Sequence, residues 1–171
     1  MKKFDGFQKG VTLGGWNDMN CILRKANARD YEAVNSIFQQ VHQMHVAWRP
    51  DIYQPCDRLI SPEGLETPPE GTYFFVAETD GKVVGILELV IRRIQSPAHI
   101  SRRILFIETM AVDEAYRGMG IGHQFFEKVK QLREEHGLDG IELQVNAKNR
   151  AAYEMYLKYG FTEKSIQMEL L

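Results

Sequence analysis

A glycine-rich segment in the second half of the chain has the residue types that bind an anion through backbone amides. It reads Tyr-Arg-Gly-Met-Gly-Ile-Gly over residues 116–122, between an apolar run ending at Val112 and a helix-like run beginning near Ile121. Glycines at alternate positions remove the Cβ atoms that would keep a ligand from the backbone. The first turn of a helix adds unpaired N–H donors and the positive end of a dipole. The segment therefore predicts a phosphate or pyrophosphate site.

Spacing separates three kinds of phosphate loop that this segment could represent. A nucleoside-triphosphatase loop ends in Gly-Lys-Ser/Thr, and no lysine follows Gly122. A dinucleotide loop needs G-x-G-x-x-G directly after its strand, whereas this segment has G-x-G-x-G several residues beyond Val112. The third pattern is Arg-x-x-Gly-x-Gly, which Arg117, Gly120 and Gly122 satisfy. A surface turn that merely uses glycine also fits the heptapeptide taken alone.

A carboxylate lies in the apolar run that precedes this loop. Glu108 is surrounded by apolar residues in the stretch 104–112. Burial in such a strand would raise the pKa of Glu108 toward that of a useful base. The alternative is that Glu108 faces solvent or forms a structural ion pair.

Length and composition are those of one ordinary globular domain. The chain has 171 residues, of which 44% are hydrophobic and 26% charged, with a formal net charge of -2. This charge argues against a nucleic-acid binder that relies on phosphate neutralisation. No apolar run reaches the length of a membrane span, and Cys21 and Cys56 have neither metal-site spacing nor the density of a disulfide scaffold. We expect a cytoplasmic protein without metal, nucleic-acid or membrane partners.

Hydrophobic periodicity predicts an α/β domain with antiparallel strands early and a helix-connected parallel pair around the glycine loop. Asn27 is predicted to cap the first helix, Arg49-Pro50 to end it, and Asp80-Gly81 to turn a hairpin. The predicted strands are 22–25, 73–78, 83–94, 104–112, 141–145 and a last one after Phe161, where Ile166, Met168 and Leu170 alternate. The predicted helices cover 27–49, 121–137 and 149–159. We expect residues 1–20 to be a leader of unknown role.

Three motifs in order resemble the GNAT N-acetyltransferase family. They are the strand segment 107–113, the Arg-x-x-Gly-x-Gly loop, and a late segment with Asn149, Tyr156 and a closing Gly160-Phe161. Together they cover residues 22–171, and we predict a GNAT domain over 21–171. The resemblance implies a GNAT acyl-CoA acyltransferase fold, with a mixed central sheet flanked by helices. Its parallel strand pair splays apart to admit the pantetheine arm, aided by a bulge near Met110.

The same resemblance implies acetyl-CoA as co-substrate, with strand backbone on the pantetheine and loop amides on the pyrophosphate. Lys148 or Arg150 could approach its 3′-phosphate, although an exposed cation at a helix start explains both equally well. The coenzyme-binding residues are predicted to be Met110, Ala111, Val112, Arg117, Gly118, Met119, Gly120, Ile121, Gly122 and Asn149.

Family correspondence assigns chemical roles to two side chains. Glu108 would deprotonate the acceptor ammonium, and Tyr156 would protonate the departing thiolate as a general acid. Alternatively, Tyr156 belongs to a packed stripe with Tyr153 and Tyr159. Attack would be direct, within a ternary complex, on an amine-bearing small molecule, polyamine or peptide.

The acceptor itself is not fixed by the sequence. Candidate wall residues are His42, His45, Trp48, Arg49, Asp51 and Tyr53, and acidic residues that would suit a polyamine are Glu63, Glu66 and Glu70. The alternative function is a non-catalytic acyl-CoA-binding regulatory or interaction module. A homodimer is a family-level expectation.

Overall fold

A computed structural model describes residues 21–170, so the predicted leader at residues 1–20 lies outside the described part of the chain. Within that part, five strands form one sheet in the order β1-β2-β3-β4-β5, antiparallel except for the parallel pair β4–β5. The strands are β1 (Cys21–Lys25), β2 (Thr72–Thr79), β3 (Lys82–Ile94), β4 (Arg102–Val112) and β5 (Gly140–Leu143). The helices are α1 (Tyr31–Trp48), α2 (Pro62–Glu66), α3 (Ile121–Glu135) and α4 (Arg150–Lys158). The predicted mixed α/β sheet is confirmed.

Helices cover both faces of the sheet, and each face has its own buried cluster. On the face that we call the α3 face, residues from the sheet and α3 pack together: Leu87, Leu89, Leu105, Ile107, Phe125 and Val129. On the opposite face, the α1 face, the buried residues come from α1, α2 and the sheet: Val34, Ile37, Leu65, Phe74, Val76 and Ile86. Burial on both sides explains why the central strands are almost continuously apolar.

Local turn chemistry agrees with the sequence at the hairpin and at the start of α1. Asp80 and Gly81 both have positive φ, at 49° and 74°, as a tight two-residue hairpin turn requires. Asn27 caps a short 3-10 turn that leads directly into α1. Asp30, 6% exposed, accepts two hydrogen bonds from Arg24 at 2.7 and 2.8 Å. These contacts anchor the start of α1 to the end of β1.

The C-terminal segment differs from the prediction. Residues 161–170 form no strand, and Ile166, Met168 and Leu170 are 74%, 89% and 100% exposed. Side chains rather than a backbone ladder hold the segment; one such contact runs from Lys164 Nζ to Glu142 Oε2 over 2.6 Å. Alternating apolar residues make a strand only where a neighbouring strand supplies backbone partners.

Two smaller differences concern an additional short helix and the length of the last strand. The proline-punctuated connection contains the short helix α2, which begins with Pro62 after the capping residue Ser61. The strand β5 ends at Leu143 rather than at residue 145. In residues 21–170, no helix is both long enough and apolar enough to cross a membrane.

Candidate active site

The two parallel strands separate part-way along β4. Their pairing runs from Ile104 opposite Gly140 to Ile107 opposite Leu143 and then stops. Strand β4 continues to Val112, whereas the chain leaves the sheet after Leu143. The β5 side of residues 108–112 is therefore left without a parallel partner. This is the splayed gap that was predicted, and an extended ligand arm could add to the sheet there.

A β-bulge marks the place where the strands part. Glu88 of β3 lies opposite Thr109, and Leu89 lies opposite Ile107, so Glu108 is the extra residue on β4. A bulge was expected near Met110, and it lies two residues earlier. Because a bulge ends regular pairing and redirects the residues around it, it helps β4 diverge from β5.

The glycine loop exposes consecutive backbone amides. Gly118 and Gly120 have φ values of 79° and 83°, and Gly120 is the residue before α3. Within residues 21–170, the N–H groups of residues 118–122 donate to no other group. A Cβ built on Gly118 or Gly122 would meet no atom of residues 21–170 within 4 Å. Free amides, open space and a helix N-terminus are the features that an anion site requires, so the predicted pyrophosphate site stays a prediction.

Hydrogen bonds hold the approach to this loop. Arg117 Nε donates to the Val112 carbonyl over 3.1 Å, which turns the predicted cation back toward the end of β4. Gln40 of α1 donates to Asp113 at 2.9 Å and accepts from the Glu114 amide at 3.0 Å. The loop is thereby fixed to both β4 and α1. The Val112 carbonyl that was predicted for pantetheine already accepts from Arg117.

The side chains around the start of α4 have structural partners. Asn149 caps α4, with its Oδ1 accepting from the Ala152 amide over 3.2 Å. Lys148 Nζ donates to the Trp48 carbonyl at 2.6 Å, and the Arg150 guanidinium lies 4.9 Å from the Tyr153 ring centre. Coenzyme contact by Asn149 stays a prediction, because the capping bond leaves its amide nitrogen free to donate.

Tyr156 differs from the two tyrosines that flank it. The Tyr153 hydroxyl donates to Glu163 at 3.0 Å, and the Tyr159 hydroxyl lies 3.3 Å from His123 Nδ1. In the described residues, the Tyr156 hydroxyl has no such partner, although its ring packs edge-on against Phe126. Burial raises the pKa of the Tyr156 phenol, so it stays protonated near neutral pH. A protonated hydroxyl without a partner is available to donate.

Glu108 is not buried as expected. Its side chain is 33% exposed and forms an ion pair with Arg92 of β3. The Arg92 guanidinium also lies 3.4 Å from the centre of the Phe106 ring. The apolar sequence around Glu108 suggested burial, but the bulge places this residue outside the regular alternation of the strand. The structural ion pair was the alternative left open for this residue, and the contact is present.

A second carboxylate, which the sequence reading missed, occupies the interior of the sheet. Glu88 is half-buried on β3, and Thr109 Oγ1 donates to its Oε2 over 3.3 Å. Burial raises the pKa of Glu88, the Thr109 hydrogen bond opposes this shift, and the nearby charge of Glu108 adds to it. The signal was available: Glu88 stands in an apolar run as continuous as the one around Glu108.

Comparison with known proteins identifies the family. The model of the acetyltransferase (GNAT) family matches residues 36–161. The chain belongs to the GNAT family. An L-amino acid N-acetyltransferase of Escherichia coli is 26% identical over 148 residues, which cover 82% of each chain. Matches to several other curated relatives span 28% to 58% of those proteins' lengths.

Solved structures agree with the GNAT assignment. A mutant of a Bacillus halodurans protein superposes with a TM-score of 0.83 at 29% identity, over 88% of this chain and 98% of that one. An aminoglycoside N-acetyltransferase in complex with CoA superposes with a TM-score of 0.63 at 18% identity, over 88% of this chain and 98% of the other. The second likeness establishes the fold alone.

In this GNAT chain, a group of aromatic side chains lies at the C-terminal end of α1. His45 stacks on Tyr53, with ring centres 5.2 Å apart, and lies 5.7 Å from the Trp48 ring. Burial lowers the pKa of His45, and neighbouring His42 lowers it further. The Lys148 bond to the Trp48 carbonyl ties this group to the loop after β5. The predicted acceptor residues are thereby held against the loop that follows β5.

Other predicted acceptor residues already have protein partners. Arg49 pairs with Asp51 at 2.6 Å and also with Glu169 of the C-terminal segment. Glu66 accepts a hydrogen bond from a backbone amide before α1 at 2.8 Å, which gives it a structural role.

Proposed function

We propose that this protein transfers the acetyl group of acetyl-CoA to a primary amine of a small molecule, polyamine or peptide. The observation that carries the proposal is the continuity between the gap beside residues 108–112 and the amide loop at 118–122. A pantetheine arm in that gap would lead its pyrophosphate to the free amides. The E. coli relative named as an L-amino acid N-acetyltransferase makes free amino acids the first acceptors to test.

The chemistry follows direct attack in a ternary complex. The acceptor ammonium loses one proton to a base, and its nitrogen lone pair attacks the thioester carbonyl carbon. The C–N bond forms, the C–S bond breaks, and the departing thiolate takes the proton of the Tyr156 phenol. The remaining extra proton on the nitrogen returns to Tyr156 through solvent, so one proton is released overall. The raised pKa of Tyr156 keeps the donor protonated.

A thiol-release assay tests this function. Purified protein and acetyl-CoA are incubated with single amines from three groups: free amino acids, polyamines and amine-bearing peptides. Calorimetry measures acetyl-CoA binding separately. Saturable thiol release that depends on one amine, with its acetylated form found by mass spectrometry, supports the proposal. Binding of acetyl-CoA without release for any amine would instead support the non-catalytic module, and no binding would contradict both.

A further inference from the structure

Glu88 lies one strand away from the gap and faces α1. Across the sheet, its neighbour on β4 is Thr109 and its neighbour on β2 is Phe74, which packs against Phe38 of α1 with ring centres 6.1 Å apart. Adjacent strands are about 4.8 Å apart. The Glu88 carboxylate accepts a hydrogen bond from Thr109, which is the second residue of β4 after Ile107, where the pairing with β5 ends.

We propose that Glu88 is the base that takes the proton from the acceptor ammonium group, and this inference rests on the acetyl transfer proposed above. The ammonium gives one proton to Glu88, directly or through one water molecule, and keeps its lone pair for attack on the thioester. Thr109 Oγ1 orients the carboxylate through Oε2. Within residues 21–170, Oε1 accepts no hydrogen bond and is free to take the proton. Glu88 releases that proton to solvent after the product leaves.

The surroundings of Glu88 suit a base because no cation of the described residues pairs with its carboxylate and its side chain is half-buried. Within the described residues, no Lys, Arg or His forms an ion pair with Glu88. Its neighbours are Glu108 and Thr109 from β4 and the apolar Phe74 from β2, and Phe74 in turn packs against Phe38 of α1. Farther along α1, the Nε2 of His42 pairs with a backbone carbonyl at 2.8 Å. A carboxylate held this way accepts a proton more readily than an exposed one.

Glu108 is held differently, although it is the carboxylate that the family resemblance favours. Arg92 forms an ion pair with it and is itself packed against Phe106. The ion pair engages the Glu108 carboxylate with a protein partner. We therefore expect Glu108 to hold the bulge in place through Arg92 rather than to take the proton.

Two matched variants, Glu88→Gln and Glu108→Gln, separate these roles. Wild-type turnover with one amine and the acetyl-CoA affinity of all three proteins are measured first. Then kcat/KM is measured against pH. We expect Glu88→Gln to lose about 10²–10⁴-fold at pH 7, with the deficit shrinking as the pH approaches the pKa of the amine. For Glu108→Gln, we expect a loss below roughly tenfold, without that pH dependence.

Each result decides one point. A Glu88→Gln deficit that is absent, or constant across the pH range, overturns this inference alone and leaves acetyl transfer standing. A large, pH-dependent deficit in Glu108→Gln instead assigns the base role to Glu108. Absence of wild-type turnover with every amine overturns the proposed function and this inference together. Thermal unfolding of both variants shows whether a loss of activity reflects a loss of fold.

Discussion

A substitution at Gly122 distinguishes coenzyme binding from folding, because an added side chain should weaken the binding of acetyl-CoA and stabilise the folded protein. Gly122 is the second residue of α3, its φ is not positive, and an added Cβ would meet no atom of the described residues within 4 Å. Alanine is roughly 0.5–1 kcal/mol more favourable than glycine inside a helix. For a domain of this length, Gly122→Ala should raise the Tm of the free protein by about 1–4 °C.

The same methyl group should weaken coenzyme binding. In the proposed binding mode, the amides of residues 118–122 donate to the pyrophosphate of acetyl-CoA. A hydrogen bond to a charged group contributes about 1.5–3 kcal/mol. If the methyl group keeps the phosphate from one amide, the Kd should rise about 10- to 150-fold. Gly120 is a less clean position, because its φ of 83° would add about 1–2 kcal/mol of backbone strain to any substitution.

Calorimetry with acetyl-CoA and thermal unfolding of the free protein test both effects. Gly64→Ala in α2 is the matched control, because its φ is also not positive and its Cβ would make only ordinary contacts, the nearest at 3.6 Å. The control should leave the Kd unchanged. Wild-type acetyl-CoA affinity in both Gly122→Ala and the bulkier Gly122→Val would refute the pyrophosphate site. A fall in Tm would refute the assumption that the position is open.

Three further variants test Tyr156 as the proposed acid, the Arg24–Asp30 contact at the start of α1, and the half-buried carboxylate of Glu88. Tyr156→Phe should lower kcat by about 10²–10⁴-fold while calorimetry gives an unchanged Kd for acetyl-CoA. The Arg24 hydrogen bonds lower the pKa of Asp30, so its contribution to stability is present above pH ~4 and lost at lower pH. Asp30→Asn should therefore cost about 2 kcal/mol in urea unfolding at pH 7, after allowance for the partly exposed Arg24, and little at pH 2. Burial raises the pKa of Glu88, so the folded protein favours the protonated form of this side chain. The contribution of Glu88 to stability therefore decreases as pH rises above ~4.3. The Tm of Glu88→Gln should accordingly increase relative to that of the wild type between pH 4 and pH 8.

Local patterns predicted most of the sheet and the position of the glycine loop before α3. The Asp80-Gly81 turn, the residue before Pro50 and the glycines before α3 each impose a backbone geometry that depends on the residue itself. Periodicity located α1, α3 and α4 because each presents one apolar face to a buried cluster. The splayed strand pair was predicted from the family resemblance, because no local sequence pattern indicates where two strands that are distant in the chain stop pairing.

The last predicted strand is wrong, because a strand forms only where a neighbouring strand is available to pair with it. Residues 166–170 alternate as a strand would, yet β5 is only four residues long and the segment is held by side chains instead. Sequence alternation describes which face a residue would take if a ladder formed. It does not show that a neighbouring backbone is available.

The bulge at Glu108 explains why sequence reasoning chose one carboxylate and missed another. In a regular strand, Ile107 and Met110 would point to opposite faces, yet both pack on the α3 face, so the bulge shifts the alternation by one residue. Thr109 is thereby placed beside Glu88, while Glu108 turns to Arg92. Because β4 and β5 stop pairing at Ile107, the inserted residue adjoins the opening of the gap. A single extra residue, which hydrophobic periodicity does not reveal, thus accounts for both the opening between β4 and β5 and the different surroundings of the two carboxylates.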